Sequence, residues 1–142
     1  MDLAQRRHSI VRYNILLGNL AYSSGRLLRR APWSAMNDLE ISAVELKQRL
    51  ENGEKLVLVD VREPWENAQC RIEGAVLIPM GSIPSNLQKL DTDESVICYC
   101  HHGMRSLDVV NWLRQQGIPT AKSLAGGIDR WSLEIDPKVP RY

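Results

Sequence analysis

The stretch SVICYCHHGMRS, residues 95–106, decides the fold of this chain. Its first five residues form an apolar run of strand length, and Cys100 follows that run directly. A loop with a single glycine, Gly103, comes next, and a helical pattern then extends over residues 106–116. A strand that passes through a short loop into a helix is the building unit of a parallel sheet.

Similar units lie on both sides of this stretch. The pattern Ser42-x-x-Glu45 is a capping box, and the helix that it opens is predicted to end at Asn52-Gly53. The other predicted strands are 56–61, 75–78 and 120–124, and the other predicted helices are 65–70, 84–90 and 128–133. Short apolar strands that alternate with helices predict an α/β fold: a small parallel sheet with helices on both faces, over residues 38–142.

The charge of the chain is distributed unevenly. The formal net charge is +1, yet six of the 18 Lys and Arg residues and only one of the 17 acidic residues lie within residues 1–36. We therefore divide the chain into a basic, partly helical N-terminal arm with its linker, residues 1–37, and a mildly acidic domain, residues 38–142. Four interpretations of the arm remain open: a disordered tail, a transit peptide, a segment on an anionic membrane surface, or a docking helix, which we favour.

Composition excludes several classes of protein. Hydrophobic residues make up 44% of the chain and charged residues 25%, which argues against wholesale disorder. No run of 18 apolar residues is present, so no transmembrane helix is predicted. Three cysteines are an odd number and do not indicate a disulfide framework, which favours the cytoplasm, or mitochondria if the arm is a transit peptide. We expect no nucleic-acid partner.

The loop after Cys100 carries the strongest chemical signal. Its backbone N–H groups, together with those of the following helix N-terminus, are expected to form a cradle that stabilises a Cys100 thiolate as a nucleophile. Arg105 adds a cation with a planar donor fork that suits an oxyanion. The predicted binding loop consists of His101, His102, Gly103, Met104, Arg105 and Ser106. The competing interpretation of Cys100 is a buried structural cysteine.

The length of this loop separates two chemistries. Cysteine phosphatases wrap a phosphate with a Cys-x5-Arg loop, whereas Arg105 follows Cys100 with four residues between. The smaller ring of N–H groups suits a single sulfur atom on cysteine better than a phosphate. Cys98, Cys100, His101 and His102 lack the usual spacing of zinc ligands, so we predict no metal and no other cofactor.

Four motifs in the domain resemble those of the rhodanese family, specifically its single-domain sulfurtransferases. They are VDVRE at 59–63, IEGAVLIP at 72–79, Cys100-x-x-Gly103-x-Arg105-Ser106, and LAGGIDRW at 124–131. The resemblance implies that Cys100 accepts a sulfane sulfur as a persulfide and passes it on, as in thiosulfate:cyanide sulfurtransferases. Implied donors are thiosulfate, polysulfide or a persulfide. Implied acceptors are cyanide, a thiol, or a thioredoxin-like or sulfur-carrier protein.

The same resemblance bears on residues outside the loop. Asp60 and Arg62 are interpreted as a charged pair that braces the cysteine loop without taking part in the chemistry. Cys70-Arg71-Ile72 stands where the family commonly has Gly-His-Ile, which makes Cys70 a second candidate thiol. The loop also lacks the Arg-Lys pair of dedicated thiosulfate enzymes, which puts thiosulfate in doubt as the physiological donor. Cys98 is expected to lie in the core because side chains alternate along a strand.

Two other functions compete with sulfur transfer. One is a phosphatase or arsenate reductase on the same fold, and the loop length argues against it. The other is a non-catalytic docking or sulfide-sensing module. Retention of Cys100, Gly103 and Arg105 argues against that alternative, since an inactive module has no use for the nucleophile.

Overall fold

The computed structural model describes residues 38–142, so the predictions for the N-terminal arm lie outside the described residues. The strands are β1 (Glu40–Ile41), β2 (Leu56–Asp60), β3 (Val76–Leu77), β4 (Ser95–Tyr99) and β5 (Lys122–Leu124). The α-helices are α1 (Ala43–Glu51), α2 (Pro64–Gln69), α3 (Leu87–Leu90), α4 (Met104–Gln115) and α5 (Gly127–Glu134). Two short 3-10 turns, Met80–Ser82 and Pro84–Asn86, join β3 to α3.

The five strands form one sheet in the order β1-β5-β4-β2-β3, and every described pair is parallel. β4 lies at the centre, where its residues Val96, Cys98 and Tyr99 stand opposite Val57, Val59 and Asp60 of β2. The predicted α/β class with a parallel sheet is confirmed. All the carboxyl ends of the strands meet at one edge, which is where ligands bind in open parallel sheets.

Apolar side chains fill both faces of the sheet. On one face, Val96 and Cys98 pack in a cluster with Val109, Val110 and Leu113 of α4. On the other face, the cluster contains Ile97, Tyr99 and Leu124 together with residues of α1 and α5: Ala43, Leu46, Ile128 and Trp131. Successive β4 residues therefore enter opposite cores, as the two-residue period of a strand requires. The prediction of helices on both faces is confirmed.

Several element boundaries differ from the sequence prediction. Residues 75–78 form only a two-residue strand at the sheet edge, where Val76 is 51% exposed rather than buried. Residues 84–90 divide into a 3-10 turn and a single helical turn. β1 was not predicted, because two residues are too few to show a pattern. The Ser42 hydroxyl does cap α1 by accepting from the Glu45 amide, at 3.1 Å.

None of the helices within residues 38–142 combines the length and the apolar character that a membrane-spanning segment needs.

Candidate active site

Cys100 lies at the carboxyl end of the central strand, where three donors converge on its sulfur. The backbone N–H of Gly103 donates to Cys100 Sγ at 3.1 Å, and the N–H of Ser106 donates at 3.4 Å. The Ser106 hydroxyl adds a third donor, also at 3.4 Å. Cys100 is only 1% exposed. The sulfur thus lies within a ring of donors, which suits a group that carries negative charge during a reaction.

Gly103 gives the loop its shape and leaves the helix amides available. Its φ of +103° belongs to the left-handed region, which residues with a Cβ rarely adopt. A Cβ there would also lie 3.2 Å from the backbone nitrogen of Gly126. Gly103 is the N-cap of α4 and has no side chain to bind the first amides of the helix. Those amides therefore remain free to face the sulfur, as at helix N-termini that bind anions.

The N-terminus of α5 holds the other side of the loop. The Ile128 amide donates to the Cys100 carbonyl at 2.9 Å, and the Asp129 amide donates to the His101 carbonyl at 3.1 Å. Gly127, just before them, has a φ of +61°. A Cβ on Gly127 would stand 2.5 Å from the Cys100 carbonyl oxygen. The loop and the start of α5 thus approach each other at a distance that only glycine permits.

The two histidines differ in their surroundings. The His101 ring stacks on the Tyr142 ring, with centroids 4.0 Å apart and an angle of 7° between the planes. His101 Nε2 is buried and has no hydrogen-bond partner among the described residues. Burial and the neighbouring His102 lower the pKa of His101, so its ring is neutral at neutral pH. The His102 side chain is largely exposed, 3.9 Å from an Asp129 carboxylate oxygen.

Arg105 reaches across to Glu66 of α2. Its two terminal nitrogens donate to the two Glu66 carboxylate oxygens, each at 2.8 Å, in a bidentate pair. The hydrogen bonds from Arg105 lower the pKa of Glu66 to about 2, against the opposing effect of burial. Glu66 was not among the site residues predicted from the sequence. Arg105 and Glu66 are 39 positions apart, and no local pattern links two residues at such a separation.

Asp60 and Arg62 form a second, fully buried ion pair with 2.7 Å between Arg62 Nη2 and Asp60 Oδ2. Arg62 also donates to the Tyr142 hydroxyl at 2.9 Å, and that hydroxyl donates to Glu66 Oε1 at 2.8 Å. A continuous chain of hydrogen bonds therefore connects Asp60 to Arg105. This arrangement is what a brace of the loop requires, and the bracing role stays a prediction. Tyr142 was the second residue that sequence reasoning missed.

The other two cysteines have different environments. Cys98 is fully buried in the core, and burial raises the pKa of its thiol to about 12. Cys70 is buried beside Arg62, with 3.9 Å between Cys70 Sγ and Arg62 Nη1. All three cysteines are free thiols. Within residues 38–142, no group of three or more His, Cys, Asp or Glu side chains is arranged to hold a metal ion.

The predicted site residues thus lie at one edge of the sheet, but only some of them contact the Cys100 sulfur. Gly103 and Ser106 touch the Cys100 sulfur directly. Met104, predicted as part of the binding loop, is 80% exposed. Asp60 and Arg62 do not contact the Cys100 sulfur; hydrogen bonds through Tyr142 and Glu66 connect them to Arg105.

Known proteins resemble this chain in both sequence and structure. Residues 42–134 match the family model described as the Rhodanese-like domain. The protein YtwF of Bacillus subtilis is 42% identical over 99 residues, covering 70% of this chain and 95% of that protein. A protein named Sulfurtransferase from Allochromatium vinosum is 40% identical over 93 residues, covering 66% of this chain and 87% of its own length. The crystal structure of a rhodanese-like domain protein from Staphylococcus aureus superposes with a TM-score of 0.63 at 35% identity, covering 72% of this chain and 97% of that one.

Proposed function

This chain belongs to the rhodanese-like domain family, and from that premise we propose that it is a sulfurtransferase that carries the transferred sulfur as a persulfide on Cys100. The observation that supports the proposal most strongly is the convergence of the Gly103 and Ser106 donors on Cys100 Sγ. Such a cradle stabilises an anionic sulfur at the end of the central strand. The name of the Allochromatium relative points to the same class of reaction.

In the first step, the Cys100 thiolate attacks the outer sulfur of a donor that contains a sulfur–sulfur bond, such as thiosulfate, a polysulfide or a persulfide. A bond forms between Cys100 Sγ and that sulfur, while the sulfur–sulfur bond of the donor breaks. Its electron pair leaves with sulfite or with a thiolate. The amides of Gly103 and Ser106 then hold the persulfide, whose outer sulfur is anionic.

In the second step, a nucleophilic acceptor attacks the outer sulfur of the Cys100 persulfide. The new bond joins that sulfur to the acceptor, and the electron pair of the broken bond returns to Cys100 as a thiolate. Cyanide serves as acceptor in an assay. For the cell we propose a thiol, or a thioredoxin-like or sulfur-carrier protein. Because the enzyme is covalently modified between the two steps, ping-pong kinetics are expected.

The phosphatase alternative is less well supported by the geometry. A phosphatase needs an arginine whose terminal nitrogens are available to a bound phosphate. Both terminal nitrogens of Arg105 already donate to Glu66. The non-catalytic alternative gives no reason why three hydrogen-bond donors face the Cys100 sulfur.

Steady-state turnover tests the proposal. Thiosulfate and polysulfide are offered as donors, with cyanide and glutathione as acceptors, to the wild type, Cys100→Ser and Cys98→Ala. We expect parallel double-reciprocal lines for wild type and Cys98→Ala, and no turnover for Cys100→Ser. Turnover that persists in Cys100→Ser, or hydrolysis of a phosphate ester that depends on Cys100 in place of sulfur transfer, would overturn the proposal.

A further inference from the structure

The Glu66 carboxylate binds both terminal nitrogens of Arg105, the arginine of the cysteine loop. We propose, resting on the proposed function, that the Glu66–Arg105 pair selects the donor. It disfavours the thiosulfate dianion relative to a persulfide that reacts without a net negative charge. Glu66 thereby acts as a specificity-determining residue that does not itself touch the reacting sulfur.

The Glu66 carboxylate is held by four hydrogen bonds. Oε1 accepts from Arg105 Nη2 and from the Tyr142 hydroxyl, each at 2.8 Å. Oε2 accepts from Arg105 Nη1 at 2.8 Å and from the Glu63 backbone N–H at 2.9 Å. Glu66 is only 3% exposed. Releasing Arg105 would leave a buried carboxylate without its cation, which is costly, so the pair stays formed while a donor binds.

Two other arginines at this edge are paired with carboxylates as well. Arg62 faces Asp60 at 2.7 Å, and Arg141 faces Asp129, the residue whose amide holds the loop, at 2.7 Å. His101 is neutral at neutral pH because burial lowers its pKa. Each of these arginine charges is therefore offset by a carboxylate within hydrogen-bond distance.

Charge balance has different consequences for the two donors. Thiosulfate brings two negative charges toward the Cys100 thiolate, and a paired arginine attracts it far less than a free one would. Cysteamine persulfide reacts in its R–S–SH form, which its ammonium group makes a cation, so it brings no negative charge toward the thiolate. The thiolate attacks the outer sulfur of this form, so that Cys100 Sγ gains S–H and becomes S–SH. The sulfur–sulfur bond of the donor breaks, and R–S⁻ leaves with its electron pair. Backbone amides suffice to hold the outer sulfur in this case.

Single-turnover rates of persulfide formation on Glu66→Gln test the inference. Thiosulfate and cysteamine persulfide are compared at one ionic strength, and only the ratio of their second-order rate constants is used, since their intrinsic reactivities then cancel between variants. Glu66→Gln leaves the Arg105 charge uncompensated. We expect the ratio to shift toward thiosulfate by about tenfold, mainly through tighter thiosulfate binding. An unchanged ratio in a folded variant would overturn the inference.

Tyr142→Phe is the matched control. It removes one hydrogen bond to Glu66 and one from Arg62 but changes no charge. A purely structural role for this network predicts that Glu66→Gln and Tyr142→Phe alter both donors alike. Our inference predicts a changed donor ratio for Glu66→Gln alone, and a changed ratio in both variants would contradict it.

The wild type provides a second test that does not depend on any variant folding. Raising the salt concentration screens long-range charge interactions. With a charge-balanced site, the thiosulfate rate constant stays level or rises, and a steep fall would reveal an uncompensated cation and overturn the inference. If neither donor modifies Cys100, the proposed function itself fails. If both donors modify it while the ratio and the salt dependence contradict us, only the selection by Glu66 fails.

Discussion

Cys98 in the central strand and Cys100 at its end are both free thiols, but their sulfur atoms have different neighbours. Cys98 lies inside β4, where its pKa rises to about 12 because burial removes it from water. Cys100 is also buried, yet three hydrogen-bond donors face its sulfur. The comparison teaches that burial alone does not decide the use of a thiol. The difference comes from the loop that begins where the strand ends.

Removal of each thiol gives the largest expected contrast. Cys100→Ser should lower turnover by at least about a thousandfold, because a serine hydroxyl is a poor nucleophile toward sulfur and cannot form a persulfide. Cys98→Ala should keep turnover within about threefold and lose only stability, since a small cavity opens in the core. Steady-state kinetics and urea unfolding measure the two effects. A comparable loss of turnover in both variants would contradict the assignment of Cys100 as the nucleophile and Cys98 as a structural cysteine.

Substitution of Gly127, which approaches the cysteine loop closely, should have the second-largest effect on turnover. Gly127→Ala places a Cβ 2.5 Å from the Cys100 carbonyl oxygen at a positive φ. We expect turnover to fall by about a hundredfold and the free energy of unfolding to fall by about 3 kcal/mol. Gly81→Ala is the matched control, because a Cβ there meets nothing within 4 Å. Wild-type turnover in Gly127→Ala would show that the approach of α5 does not shape the site.

The pH dependence of stability tests how much the charge of Glu66, the partner of Arg105, contributes to the folded state. The pKa of Glu66 is about 2 in the folded chain, whereas its ordinary value, which applies to the unfolded chain, is 4.5. The stabilisation is therefore complete above pH 4.5 and is lost as the pH falls toward 2. At neutral pH we expect Glu66→Gln to lower the free energy of unfolding by about 3 kcal/mol.

Chemical denaturation at a series of pH values measures this difference between the two proteins. The difference should shrink steadily between pH 4.5 and 2, because over that interval Glu66 is ionised in the folded wild type and takes up a proton on unfolding. A difference that is constant across that interval would mean that the charge of Glu66 contributes nothing.

The smallest effect is expected from one donor among three. Ser106→Ala removes the hydroxyl that lies 3.4 Å from Cys100 Sγ but keeps the Ser106 amide. A single hydrogen bond contributes about 1 kcal/mol, which corresponds to about a fivefold fall in kcat/KM. Ser132→Ala removes a buried hydroxyl that binds the Val139 carbonyl instead, and it should leave kcat/KM unchanged. Equal effects of both variants would indicate a general loss of packing.

The sequence allowed the fold and the cysteine loop to be predicted because both are local in the chain. The central strand and its loop lie within residues 95–103, which include Cys100 and Gly103. The other strands and helices alternate along the chain in recognisable patterns. The contacts of Arg105 with Glu66 and of Arg62 with Tyr142 join residues 39 and 80 positions apart. No periodicity or capping rule specifies such a pair. The same limit applies to β1, whose two residues are defined only by pairing with β5.

We propose that the transferred sulfur resides on Cys100 and on neither Cys70 nor Cys98. Intact mass spectrometry after treatment with a persulfide or polysulfide donor, followed by peptide mapping, tests it most directly. We predict a gain equal to the mass of one sulfur atom, located on the peptide with Cys100, reversed by cyanide and absent in Cys100→Ser. A sulfur adduct of the same size that persists in Cys100→Ser, or that maps to Cys70 or Cys98, would show that Cys100 is not the carrier.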